Sequence, residues 1–236
     1  MLTVNYFRYH EHVSSPALPP APGTDDHPSL ALVDTVVVLP GGHRVDDLGD
    51  PAAATSWLIE RGLVSDDVML LEHCQSKLTS LRQDLRTLFD RFLEGEDPDQ
   101  GALDRINAAI MTVPAAPLLH HVPGRGLQRV QQHPVTQLVE YAMAHIAEDA
   151  AELVTSPLAG SIARCEALPC ERLMIRTHAR RRWCSVRCGD RVRAARSYSR
   201  GRQSEDAAAK RLESLLVSMN LSPVPTAGAV VRYSGS

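Results

Sequence analysis

The sequence predicts an α+β chain: a mostly α-helical amino-terminal domain with a small β-element, followed by a small cysteine-rich module. Three observations carry this. Between residues 50 and 154, apolar residues recur at three- and four-residue intervals in segments bounded by capping and helix-ending residues. A β-branched, apolar run, ALVDTVVVL at 31–39, stands before them. Four of the five cysteines fall in two close pairs between 165 and 188, inside a segment too polar to fold by burial alone.

In chain order, residues 2–9 alternate apolar and polar groups and predict a strand that could pair with a strand at 31–39. The intervening SSPALPPAPGTDDHP is a loop, because proline locks φ and removes donors. Pro40-Gly41-Gly42 predicts a turn. Asp50-Pro51 supplies an N-cap and a first-turn proline for a short helix containing Trp57, and Gly62 ends it. Ser65, Asp66 and Asp67 open a longer helix in which Val68, Leu71, Leu78, Leu81, Leu85, Leu88 and Phe89 share a face, ending near Gly95. Residues 99–112, with Leu103, Ile106, Ile110 and Met111, form another amphipathic helix, and VPAAP follows. HHVPGRGLQRVQQHP has no clean period and fits either a hairpin or an irregular connection. Leu138, Tyr141, Ala142, Ile146, Ala150 and Leu153 mark a helix over 135–154. After Arg202, a separate helix capped by Ser204 places Leu212, Leu215, Leu216 and Met219 on one face, and a loose tail ends the chain. The expected divisions are 1–28 (strand and Pro-rich loop), 29–158 (α-rich domain), 159–202 (finger) and 203–236 (helix and tail).

Every apolar stretch is interrupted by a charged residue or histidine before the ~18 residues of a membrane span. MLTVNYFRYHEHV lacks the pattern of a secretory signal. The expected compartment is the cytoplasm, where clustered cysteines are metal ligands more readily than disulfides. Phosphate-binding glycine loops, G-x-S-x-G elbows and H-E-x-x-H pairs are absent, so no enzyme is expected.

Net charge is −3, yet Arg164–Arg202 holds twelve arginines against Glu166, Glu171 and Asp190, a local +9 set against −12 elsewhere. Either the basic segment meets a polyanion, or it docks on the acidic body of its own chain. Within it the spacing is C-x4-C, thirteen residues, then C-x3-C. Two pairs of thiols on tight turns, separated by enough chain for a hairpin, can supply the tetrahedral S4 set of a Zn2+ site: Cys165, Cys170, Cys184 and Cys188. Gly189 and RVRAARSYSR place the last ligand in the first turn of a helix, which gives a treble-clef-like finger. Arg191, Arg193, Arg196 and Arg200 lie on that helix. Arg180, Arg181 and Arg182 enter it, and Arg187 sits between the last two cysteines. Guanidinium groups pair with phosphates and read guanine edges, so these eight are candidate nucleic-acid contacts. The alternative is a solvated helix face. Cys74 reads as a small core residue, His120, His121 and His133 as loop histidines, Trp57 as core and Trp183 as packing beside the knuckle.

Arg181-Arg182-Trp183-Cys184-Ser185 and Cys188-Gly189-Asp190-Arg191, with Cys165 and Cys170 upstream, resemble the CGNR zinc-finger family, with Asp190 where the family has asparagine. ALVDTVVVLPGGHRVDDLGDPAAATSWLIERGL resembles the ABATE domain that precedes such fingers: Asp34 replaces an asparagine, and Asp47, Leu48, Trp57, Leu58, Gly62 and Leu63 match. The resemblance covers roughly 29–201 and implies a bacterial, stress-linked transcription regulator. The expected function is DNA binding through the zinc finger, with the amino-terminal domain sensing a small molecule or a protein. Two alternatives stand beside it: RNA binding by the same surface, for which only Tyr198 and Trp183 offer stacking rings, and a redox or small-molecule sensor with a structural zinc site. A homodimer is compatible with reading paired half-sites, and no residue pattern demands one.

Overall fold

A computed structural model describes residues 19–112, 118–130 and 137–218. The elements are α1 (Pro28–Val33), β1 (Val36–Val38), β2 (Arg44–Asp46), α2 (Pro51–Glu60), α3 (Glu72–Glu94), α4 (Gln100–Met111), β3 (Leu118–Val122), β4 (Gly126–Val130), α5 (Leu138–Thr155), β5 (Ile162–Arg164), β6 (Leu173–Ile175) and α6 (Val186–Ser218). The strands form three separate antiparallel hairpins, β1–β2, β3–β4 and β5–β6. The chain makes two compact units, one ending at Cys188 and the other beginning at Gly189.

In the first unit α4 packs on α3 and α5, while α1 packs on α3 and α5. The core is built from most of the expected apolar faces: Leu78, Leu81, Leu85, Leu88 and Phe89 of α3, Ile106 of α4, and Ala142, Ile146, Ala150 and Leu153 of α5, with Trp57 and Leu58 from α2. Ile162 and Leu173 of β5–β6 belong to the same core, so the cysteine-bearing hairpin is seated on the helical body. The capping reading holds at α2, and α4 is capped in the same way. Asp50 accepts the Ala53 N–H at 2.8 Å and Asp99 accepts the Ala102 N–H at 2.7 Å. Gly95 closes α3 at φ +69°, the left-handed conformation glycine adopts without a steric penalty. Arg105 of α4 grips Asp84 of α3 through Nε and Nη2.

Four expectations are corrected. The 31–39 run is not one strand. Its first half completes α1, because Pro28 fits a first helical turn and Asp149 of α5 accepts the Ser29 N–H and hydroxyl there. Only the β-branched Val36–Val38 pairs, and with β2 across the 40–42 turn. The long helix starts at Glu72, not Ser65. Ser65 instead bonds Asp67 locally at 2.6 Å, and the buried Leu70 N–H is taken by Thr55 Oγ1 at 3.0 Å, which ties this stretch to α2. Leu71, just before α3, and Met111 of α4 lie outside the buried faces expected to hold them, 65% and 82% exposed. The helix after Arg202 is no separate element. α6 runs on to Ser218, and Ser204 bonds the Gly201 carbonyl within it and caps nothing. Its Leu212 and Leu215 are exposed.

The HHVPGRGLQRV stretch resolves as the β3–β4 hairpin, with His120 and His121 on β3. Trp57 is buried, and Cys74 is half-buried against the core. The expected strand at 2–9, its pairing, VPAAP, His133, Met219 and the tail lie outside the described residues.

Candidate metal centre and basic segment

The β5–β6 hairpin carries the first cysteine pair across its tip. Cys165 follows β5 and donates its N–H to the Arg172 carbonyl at 2.8 Å, which extends the ladder. Cys170 closes a tight turn by donating to the Ala167 carbonyl at 2.9 Å. The second pair is brought up by the chain entering α6. Glu166 N–H bonds the Arg182 carbonyl at 3.0 Å, and Cys184 N–H points at Cys165 Sγ at 3.4 Å. Ser185 then caps α6: its Oγ accepts the Cys188 N–H at 3.2 Å, so Cys188 lies in the first helical turn.

All four thiols are buried, and their Sγ atoms lie within 4.8 Å of one another. Cys184 Sγ is 3.7 Å from Cys170 Sγ and 3.6 Å from Cys188 Sγ. Zinc–sulfur bonds of about 2.3 Å in a tetrahedron place sulfurs about 3.8 Å apart, so the donor set fits zinc in kind and spacing. The thiols alone cannot all ionise. Hydrogen bonds from Cys170 and Cys184 hold Cys165 down at about 2, while bonding to Cys165 pushes Cys170 up to about 12 and raises Cys184 as well. One negative charge is stabilised by its neighbours; four require a cation. The four buried cysteines are positioned to bind one metal ion. Zinc would be held by Cys165, Cys170, Cys184 and Cys188, and when bound it supplies a cross-link between the hairpin and the start of α6.

The arginines divide by environment. Arg172 is 7% exposed, with Nε on Asp34 at 3.2 Å and Nη1 on the Pro19 carbonyl at 2.8 Å. Asp34 also accepts the Leu173 N–H at 2.8 Å, and burial pushes its carboxyl up to about 6 despite Arg172. Arg164 bonds Asp90 of α3 at 2.7 Å, and Arg86 donates to the Glu171 carbonyl at 3.0 Å. These contacts lock the hairpin to the helices, so part of the basic segment does dock on its own chain. Sequence reasoning counted Arg164 and Arg172 only as charge and missed this role. Asp34, a carboxylate inside an apolar run, was the available signal.

Of the eight candidate contact residues, Arg180, Arg182 and Arg187 are exposed in the first unit, Arg182 paired with Glu166. Arg181 is half-buried and donates to the Trp183 and Cys184 carbonyls at 3.3 and 3.5 Å, which braces the second knuckle. In the second unit Arg193, Arg196 and Arg200 are exposed at helical spacings of three and four, Arg193 with Asp190 at 2.5 Å, and Arg191 is half-buried.

A helical body that shares one core with a hairpin carrying a buried four-cysteine knuckle defines a zinc-finger protein. The chain belongs to the ABATE family, described as "putative stress-induced transcription regulator", whose model matches residues 26–157, more than half its length. The CGNR zinc finger model matches residues 162–201. It is therefore a regulatory zinc-binding protein of that family. No curated protein matches the sequence. Among the described residues no helix is long and apolar enough to cross a membrane.

Proposed function

We propose that the chain is a DNA-binding transcription regulator, a binding protein rather than an enzyme, that contacts the nucleic-acid backbone through its basic segment. The observation that carries this reading is the exposure of Arg180, Arg182, Arg187, Arg193, Arg196 and Arg200 in the stretch of sequence that carries the buried second cysteine pair and continues beyond it. An arginine costs nothing to expose in water, but six in one short segment raise a positive potential whose natural complement is a polyanion. Arg181 and Ser185 fix the backbone of the knuckle and the start of α6. The exposed arginines pair with phosphates, which sets affinity, and base edges are read by those that reach a groove.

Duplex DNA is favoured over RNA because stacking platforms are scarce. Tyr198 is exposed, Trp183 is half-buried, and no other aromatic ring from Phe, Trp or Tyr occurs in 159–202. The test is a mobility-shift assay on the zinc-loaded chain and on the variant with Arg191, Arg193 and Arg196 changed to Ala, with duplex DNA and RNA competing at matched salt. Loss of DNA binding in the variant supports the reading. Undiminished binding overturns it, and preferential capture by RNA replaces DNA with RNA.

A further inference from the structure

We propose that a cavity of about 470 Å³ at the base of the cysteine hairpin, bounded by the 19–27 loop, α1 and α2, binds a small organic molecule carrying two or more ammonium groups. The volume is that of a small-molecule site. Its lining carboxylates, Asp25, Asp34, Asp47 and Glu60, outnumber its guanidinium groups, Arg61 and Arg172. Both guanidiniums are already engaged, Arg172 by Asp34 and Pro19, and Arg61 by the Thr24 carbonyl. Asp25, Asp47 and Glu60 have no ion pair among the described residues. The wall therefore carries surplus negative charge, and its neutralisation falls to a ligand.

Two observations make this a site for a molecule and not merely an acidic surface. Arg172 is more than nine-tenths buried, yet hydrogen-bonds only through Nε and Nη1 among the described residues. Its Nη2 is left as a donor suited to a hydroxyl or carbonyl oxygen. Arg61 shows that the wall accepts an organic cation, since its guanidinium lies 5.5 Å from the Trp57 ring centroid. A single metal ion suits the wall poorly. Among the described residues the cysteine cluster is the one group whose ligand atoms converge closely enough to share an ion, so these carboxylates match separated ammonium groups.

The position couples the cavity to the finger. Asp34 accepts the Leu173 N–H, and the carbonyl of Arg172 accepts the N–H of the candidate zinc ligand Cys165. A ligand that shifts the Asp34–Arg172 pair thus acts directly on the hairpin holding Cys165 and Cys170.

The test uses the full-length, zinc-loaded chain without nucleic acid, so its failure and that of the DNA reading are separate results. Calorimetric titrations with spermidine and with 2-deoxystreptamine, a diamine bearing hydroxyls, run at fixed ionic strength against a magnesium control. Saturable one-to-one binding is expected, tighter for 2-deoxystreptamine because its hydroxyls meet Arg172. An Asp47→Asn, Glu60→Gln double variant should bind at least tenfold more weakly. Both side chains are exposed and unpaired, so its thermal melt should match the parent's. Hydrogen exchange across residues 162–175 should slow on binding. Absence of saturable binding, equal competition by magnesium, or undiminished binding by the double variant overturns the site. Unchanged exchange overturns the coupling, and the reverse order of the two amines overturns the role given to Arg172.

Discussion

Replacing Asp34 tests how the finger is held on the helical domain. In Asp34→Ala the Arg172 guanidinium, 7% exposed, and the Leu173 N–H lose their acceptor together. Removing one partner of a buried pair costs about 3–5 kcal/mol, because the remaining charge stays out of water. Asp34→Asn keeps an acceptor and should cost less at neutral pH. The two can be separated by pH. Burial raises the folded Asp34 carboxyl to about 6, above its usual 3.8, so between those values the native state holds more protons than the unfolded chain. Stability from this group is therefore present at low pH and lost as pH rises through about 6. Between pH 7 and pH 4 the parent should gain about 2 kcal/mol relative to Asp34→Asn, approaching about 3 kcal/mol only well below 3.8, where the whole 2.2-unit difference counts at 1.36 kcal/mol per unit. Urea denaturation followed by helical circular dichroism at both pH values measures that difference. A gap between parent and Asn variant that stays constant, or moves the other way, would refute the buried-pair account.

Three shorter predictions follow from the same structure. Cys184→Ser should abolish stoichiometric zinc binding, measured by elemental analysis, while most helical circular dichroism survives, because nearly all the core side chains belong to the α1–α5 region. Leu85→Ala, at a fully buried position facing the α3 core, should lower the unfolding free energy by about 2–5 kcal/mol in urea titrations, and a loss under 1 kcal/mol would argue against that packing. Changing Arg193, Arg196 and Arg200 together to Ala should reduce the slope of log affinity for duplex DNA against log salt by about 2–3, since each lost phosphate contact removes about 0.9, and an unchanged slope would remove these residues from the interface.

The legible parts of this chain were those governed by neighbours in sequence. Asp50-Pro51 and Gly95 announced α2 and the end of α3 because caps act within one turn. The cysteine knuckles were legible for the same reason: each pair is closed by a turn of a few residues. Misreadings arose where distant groups decide. The 31–39 run splits because Asp149, far along the chain, secures the first turn of α1. Residues 65–71 stay non-helical because Thr55 takes the Leu70 N–H. Ser204 looked like a cap, but α6 passes through it without a break. In the site itself, the pairing of Asp34 with Arg172 spans 138 residues and leaves no local pattern, so a charge count includes Arg172 without revealing that the fold buries it.

The most direct test of the whole account is X-ray absorption at the zinc edge on the purified full-length chain, with the metal quantified in the same sample. One zinc per chain in a shell of four sulfurs at about 2.3 Å is the expected result. A substoichiometric metal, or a shell containing nitrogen or oxygen ligands, would contradict a centre built from Cys165, Cys170, Cys184 and Cys188.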